Sequence, residues 1–168
     1  FRLLREFQPK TCVELGTSLG MSACYQSAAL ELNGNGRLMT LDGAASLAEI
    51  AVENFGKIGL QHRVESVVGR FQDTLNEVLR THMPVDYGFI DGHHDEQATI
   101  DYFEQFLPFL ADGAMLVFDD IMWYEGMQRA WQRIIAHDRV SFAVDLGGVG
   151  VCWVSSNRVA TESYVIHL

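Results

Sequence analysis

Five acids stand where short apolar runs end: Glu14, Asp42, Asp91, Asp119 and Asp120, and two histidines, His93 and His94, follow Asp91 almost at once. Carboxylates are hard oxygen donors that hold divalent cations or accept hydroxyl protons. An imidazole with its ordinary pKa of ~6.5 takes a proton near neutrality. Far upstream, Val13-Glu14-Leu15-Gly16-Thr17-Ser18-Leu19-Gly20 carries an apolar run into a glycine-bounded turn, with hydroxyls at Thr17, Ser18 and Ser22. A strand, a tight loop and a helix start in that order hold a nucleotide-like ligand, because glycines at 16 and 20 let it approach the backbone. The spacing is G-x-x-x-G, not the G-x-G-x-x-G of dinucleotide binders. Asp42 lies where such folds place an acid for ribose hydroxyls, and its two oxygens suit a diol. Loop and acid together point to an adenosine-containing ligand. The alternative for Asp120 is the N-cap of the helix after Ile121. A soft-metal site of Asp91 with His93 or His94 lacks a third His or Cys at suitable spacing.

The elements that must position these residues alternate along the chain. Strands are expected at 11–15, 37–41, 64–68, 85–90, 113–118, 140–146 and 149–154, the last two joined as a hairpin by Gly147-Gly148. Between them run helical stripes: Leu3, Leu4 and Phe7; Met21, Cys24, Tyr25, Ala28 and Leu32; Leu47, Ile50, Ala51, Phe55 and Ile58; Phe71, Leu75, Val78 and Leu79; Phe103, Phe106, Leu107 and Leu110; Met127, Ala130, Trp131 and Ile134. Pro9, Asn33-Gly34 and Gly59 stop the first three. This order predicts one α/β domain over 1–168, a Rossmann-like doubly wound sheet of seven strands with helices on both faces. The sheet is mostly parallel and its last strand antiparallel. Ligands then sit outside the carboxyl ends of the strands, where the five acids lie.

With 168 residues and 48% apolar content the chain suits one globular domain. A formal net charge of −10, with no basic cluster, excludes a phosphate backbone as a natural partner. No apolar run reaches the ~20 residues of a membrane-spanning helix, and no secretory signal opens the chain, so a cytoplasmic location is expected. Cys12, Cys24 and Cys152 read as buried thiols of a reducing compartment. The chain opens at Phe1 almost on the first strand, so an upstream lid is expected to be missing or minimal. Residues 158–168, with Tyr164 and Ile166, read as an extra strand or an oligomer contact, and a homodimer is one expectation.

The segment from Val13 to Ser22 resembles the first motif of class I S-adenosylmethionine-dependent methyltransferases, and Thr40-Leu41-Asp42 their second. Val68-Gly69-Arg70-Phe71-Gln72-Asp73 is similar to the segment that flanks adenine. Phe89-Ile90-Asp91-Gly92-His93-His94 and Val117-Phe118-Asp119-Asp120-Ile121 resemble the metal-binding segments of the cation-dependent O-methyltransferases, the group of catechol and of macrolide and aminocoumarin sugar O-methyltransferases. The likeness runs in order from about residue 11 to 154. It implies S-adenosylmethionine held by Glu14, Gly16, Thr17, Ser18, Gly20, Ser22, Asp42, Gly69, Phe71, Gln72 and Asp91. It further implies a divalent cation, Mg²⁺ by donor hardness, on Asp91, Asp119 and Asp120. His94 stands where relatives carry a general base. The implied reaction moves a methyl group to a hydroxyl of a small molecule with vicinal hydroxyls. Trp123 and Tyr124 could wall its pocket, whereas Trp131 falls on a core stripe. An NAD-dependent oxidoreductase is the enzyme alternative, although no Tyr-x-x-x-Lys pair is present. A binding module without turnover is the other.

Overall fold

The computed structural model describes residues 1–157 and 160–166. The fold is Rossmann-like α/β, with helices on both faces of a mixed sheet. The chain packs as two compact units, 1–82 and 83–168.

The first unit contains α1 (Arg2–Phe7), β1 (Thr11–Leu15), α2 (Met21–Asn33), β2 (Arg37–Asp42), α3 (Ala45–Lys57), β3 (Val64–Val68) and α4 (Phe71–His82). Its strands lie in the order β3-β2-β1, all parallel, with Leu15 beside Leu41 and Asp42 beside Val68. Parallel pairing with this register brings the carboxyl ends of all three strands to one edge. Gln8 leaves α1 in the left-handed region just before Pro9, and Gly34 does the same for α2, closing both helices with a C-terminal turn. The stripe on α4 is buried as expected, Phe71, Leu75, Val78 and Leu79 all facing inward.

Three expected stripes differ. On α1 Leu4 is buried, but Leu3 is exposed and Phe7 half-buried. On α3 the buried residues are Ala48, Ala51 and Phe55, while Ile50 and Ile58 are exposed. On α2 the expected face is reversed: Ala23, Gln26, Ser27, Ala29 and Leu30 are buried, and Met21, Tyr25 and Leu32 face outward. The reason is local. The inward face of α2 supplies Gln26 to the buried Glu14 and, apart from Leu30, offers small side chains, while Met21, Tyr25 and Leu32 are left outside.

The second unit contains β4 (Val85–Ile90), α5 (Glu96–Phe106), a 3₁₀ turn (Leu107–Phe109), β5 (Leu110–Phe118), α6 (Glu125–Ile135), β6 (Val140–Asp145), β7 (Gly150–Val154) and β8 (Glu162–Val165). The order is β4-β5-β7-β6-β8. β7 runs antiparallel to β6, as the glycine hairpin requires, and antiparallel to β5 as well. Gly150 packs its bare Cα face against the Trp131 ring, where a Cβ would come within 2.8 Å, and this seats the hairpin under α6. α6 buries Met127, Ala130, Trp131 and Ile134 as predicted. β8, parallel to β6, is the extra strand within the expected 158–168 segment; residues 158, 159, 167 and 168 of that segment lie outside the described residues. β5 begins three residues earlier than expected, at Leu110, with Leu110 beside Val85. The three cysteines form no disulfide, and Cys12 and Cys152 are buried.

Candidate active site

In the first unit the glycine-bounded loop is fixed from below by a buried polar chain. Glu14, fully buried on β1, accepts hydrogen bonds from Gln26 Nε2 (2.5 Å) and Thr40 Oγ1 (2.5 Å). Thr40 also meets Thr17 Oγ1 at 2.6 Å, so the loop's first hydroxyl faces inward. A buried carboxylate is costly unless it is hydrogen-bonded, and these partners meet that cost while tying β1, β2, α2 and the loop together. Gly16 and Thr17 donate backbone N–H bonds to Leu41 O at 2.9 and 3.2 Å, and Asn54 Nδ2 holds Leu19 O at 3.0 Å.

Asp42 completes the clamp. Its Oδ2 accepts from Ser18 N at 2.7 Å and its Oδ1 from Ala44 N at 2.8 Å. A carboxylate has about four lone-pair positions, so these two bonds leave each oxygen with further acceptor capacity. Ser18 is itself left-handed, at φ 46°. Gly69 N donates to Asp42 O at 2.9 Å, which sets the turn after β3 beside the end of β2. Phe71 is buried and Gln72 exposed at the start of α4. Ser22 is half-buried in the first turn of α2, a helix whose start carries no side-chain cap. The glycines divide their roles. At Gly20 a Cβ would lie 2.7 Å from Phe55 and 3.0 Å from Ala51, so its bareness serves the packing of α3.

In the second unit Asp91 follows β4, and Asp119 and Asp120 follow β5. Asp119 N donates to Ile90 O at 3.0 Å, which draws the two strand ends together. Burial first, then the charges of Asp119 and Asp120 and a hydrogen bond with Asp119, push the Asp91 carboxyl up to about 7. His94 lies between two of these acids, Nε2 at 3.7 Å from Asp91 Oδ1 and Nδ1 at 3.6 Å from Asp120 Oδ2. Those are ion-pair separations, too long for hydrogen bonds. Asp120 does not cap α6: the capping position is Tyr124, and Asp120 stands in the left-handed region at φ 54°. His93 and His94 are left-handed as well, at φ 64° and 39°. The two adjacent outliers after β4, and the third after β5, mark loops whose shape is held by their surroundings. His93 Nδ1 hydrogen-bonds with the buried Tyr102 hydroxyl. The indole of Trp123 lies 4.9 Å from the His94 ring and is 65% exposed, and Tyr124 accepts from Glu96 N at 3.2 Å. Among the described residues no group of three or more His, Cys, Asp or Glu has the spacing of a metal cage.

Gln26, Thr40 and Tyr102, which hold Glu14, Thr17 and His93, were not singled out by the sequence. Thr40 sits in the quoted Thr40-Leu41-Asp42 segment, but nothing in the spacing of Gln26 or Tyr102 marks it.

A family model described as a methyltransferase domain matches residues 13–121. This chain belongs to that family. The matched interval holds the loop with Asp42 and also the cluster of Asp91, His94, Asp119 and Asp120. This methyltransferase-family chain is 32% identical over 116 residues to a catechol O-methyltransferase of Niastella koreensis, a match covering 68% of this chain and 51% of the relative. It resembles the solved O-methyltransferase from Bacillus cereus in complex with SAH, at TM-score 0.75 and 25% identity over 92% of this chain and 77% of that one. It is equally similar to the SAM-bound O-methyltransferase from Streptomyces achromogenes involved in tomaymycin synthesis, at TM-score 0.75 and 26% identity with the same coverage. The chain spans about half the length of the curated relatives it matches.

Proposed function

We propose that this chain is an S-adenosylmethionine-dependent O-methyltransferase acting on a small molecule with vicinal hydroxyls, catechol-like or sugar, and that both units serve one such domain. The observation that carries the reading is that the family match spans the nucleotide-type loop and the acidic cluster together. S-adenosylmethionine supplies a sulfonium methyl, and a divalent cation supplies Lewis acidity toward the acceptor oxygen. Asp42 takes the ribose hydroxyls on its remaining acceptor capacity. Gly16, Ser18, Ser22 and the uncapped start of α2 take the polar end of the donor, with Glu14, Thr17 and Gly20 shaping the loop. Gly69, Phe71 and Gln72 border the adenine.

Asp91, Asp119 and Asp120 fit a hard divalent cation such as Mg²⁺ by donor type. Mg²⁺ keeps several waters and uses one or two carboxylates in place of a closed protein cage, so three or more protein ligands at cage spacing are not required. A proton on Asp91 is what such an ion would displace. His94, beside the acids, accepts the acceptor's hydroxyl proton, and Trp123 and Tyr124 wall the pocket.

Calorimetry with S-adenosylmethionine and with NAD tests the donor: binding of NAD with no response to S-adenosylmethionine would overturn the assignment. Turnover over a catechol and sugar-diol panel, with and without Mg²⁺, separates an enzyme from a binding module. Asp119→Ala should cut Mg²⁺-dependent kcat/KM by about 10²-fold or more while leaving the donor Kd within about threefold. Full turnover in that variant would remove the metal role.

A further inference from the structure

The loop between β4 and α5 runs from Asp91 to Asp95 and holds two left-handed residues in succession, His93 and His94. That backbone conformation is uncommon for any residue but glycine, so two together need an outside hold. The His94 side chain does not supply it. Among the described residues it makes no hydrogen bond, its nitrogens standing 3.7 Å from Asp91 Oδ1 and 3.6 Å from Asp120 Oδ2. Its place between the two acids is therefore set by the loop that carries it.

The hold comes from α5 and grips the loop on either side of His94. Before it, His93 Nδ1 shares a hydrogen bond with the Tyr102 hydroxyl, and the two rings stack with centroids 5.9 Å apart at 16°. After it, Asp95 caps the helix, its Oδ1 accepting from Ala98 N at 3.0 Å and its carbonyl oxygen from Thr99 N at 2.9 Å. Tyr102 is 4% exposed and lies among the buried residues of α5 with Thr99, Phe103 and Phe106, so the anchor is itself fixed by the core. We infer that Tyr102 is a positioning residue for His94: acting through His93, its hydroxyl fixes the loop so that His94 is presented between Asp91 and Asp120. The inference rests on the base role proposed for His94.

A phenylalanine at 102 would fill the same place in the core without a hydroxyl to satisfy. The tyrosine instead reaches an exposed histidine nine residues earlier in the chain. Restraining an exposed side chain loses its rotamer freedom and gains little burial, so the bond serves the loop more than the core. The strand ends on either side are already drawn together by Asp119 N and Ile90 O, at 3.0 Å. The loop backbone is what remains to be set. A general base must stand within hydrogen-bond reach of the proton it takes, and a displacement of about 1 Å can cost as much as about 100-fold in rate.

NMR of the protein with its histidines isotope-labelled at Cε1 tests this without donor, acceptor or metal. The His94 signal, identified by its loss in His94→Gln, is shifted by the ring current of the Trp123 indole 4.9 Å away. In Tyr102→Phe, which keeps the ring and its packing, the signal should move toward its position in Trp123→Ala, with an unchanged circular dichroism spectrum. In turnover Tyr102→Phe should lower kcat on the order of tenfold, with KM and donor Kd within about threefold. His93→Gly should lower kcat by a like factor, because glycine accepts the left-handed backbone but lacks the tether. The double variant should be no slower than the slower single one, since both changes remove one link. An unmoved His94 signal in Tyr102→Phe overturns the inference. So do single losses that multiply in the double variant, the mark of a role confined to packing. A moved signal in a protein whose native chain turns over none of the diols upholds the hold of Tyr102 on His94 and overturns the base role instead.

Discussion

Asp91 shows what a few neighbours do to one carboxyl. Its folded-state pKa of about 7 lies above the 3.8 of an ordinary Asp, so the folded chain binds that proton more tightly than the unfolded chain. The resulting stability is complete below about pH 4 and is lost as the pH rises through about 7. Discounted for partial solvent contact, the loss is of order 1–2 kcal/mol. For a chain of this size that lowers Tm by about 2–8 °C between pH 5 and pH 8 without a divalent cation. Asp91→Asn should flatten this part of the Tm profile, and calorimetric scans across pH measure it. The buried chain of Gln26, Glu14, Thr40 and Thr17 makes a second demand. Thr40→Val leaves Glu14 and Thr17 each short of a partner, and should cost about 1–3 kcal/mol in urea unfolding. At this scale the sequence revealed the acids and the two histidines, because strand ends collect ligand-binding residues. It did not reveal that Glu14 is buried against Gln26 and Thr40 or that Tyr102 holds His93. Those pairings join residues separated by turns, and hydrogen-bond partners have no periodicity.

At the scale of elements, two glycines in similar backbone conformations should respond differently to the same substitution. Gly20 and Gly34 flank α2 at φ 79° and 75°. A Cβ at Gly20 meets Phe55 and Ala51, whereas at Gly34 nothing lies within 4 Å. Gly34→Ala should cost about 1 kcal/mol from the left-handed conformation alone. Gly20→Ala adds overpacking of about 1–3 kcal/mol and should displace α3, and a urea titration of both variants separates the two terms. The stripes on α4 and α6 were legible because each has one apolar face and buries it. The stripe on α2 was legible as a pattern but misleading as to which way it points. Apolar periodicity says that a face will be covered and does not say by what. β8 gave little signal: Glu162-Ser163-Tyr164-Val165 is exposed throughout and paired to β6 on one side, so no buried face imposes a pattern on it.

For the whole molecule, ten uncompensated negative charges set the background. Raising NaCl from about 20 to about 300 mM should increase Tm by a degree or two through screening of self-repulsion, and differential scanning fluorimetry reads it. Among the described residues no helix is long and apolar enough to cross a membrane. The order of strands and helices was largely legible from the alternation of short apolar runs with helical stripes, while the division into two compact units left no mark such as a linker or a change in composition. The three tryptophans give the protein a native optical signal with unequal sources. Trp131 is sealed in the core and Trp153 stacks edge-on to Phe142, but Trp123 is open to water beside His94. Indole emission is quenched by an adjacent imidazolium and shifts with the polarity around the ring. The steady-state fluorescence of the unlabelled protein therefore carries a component that follows events at the acidic cluster, with no dye, radiolabel or coupled assay.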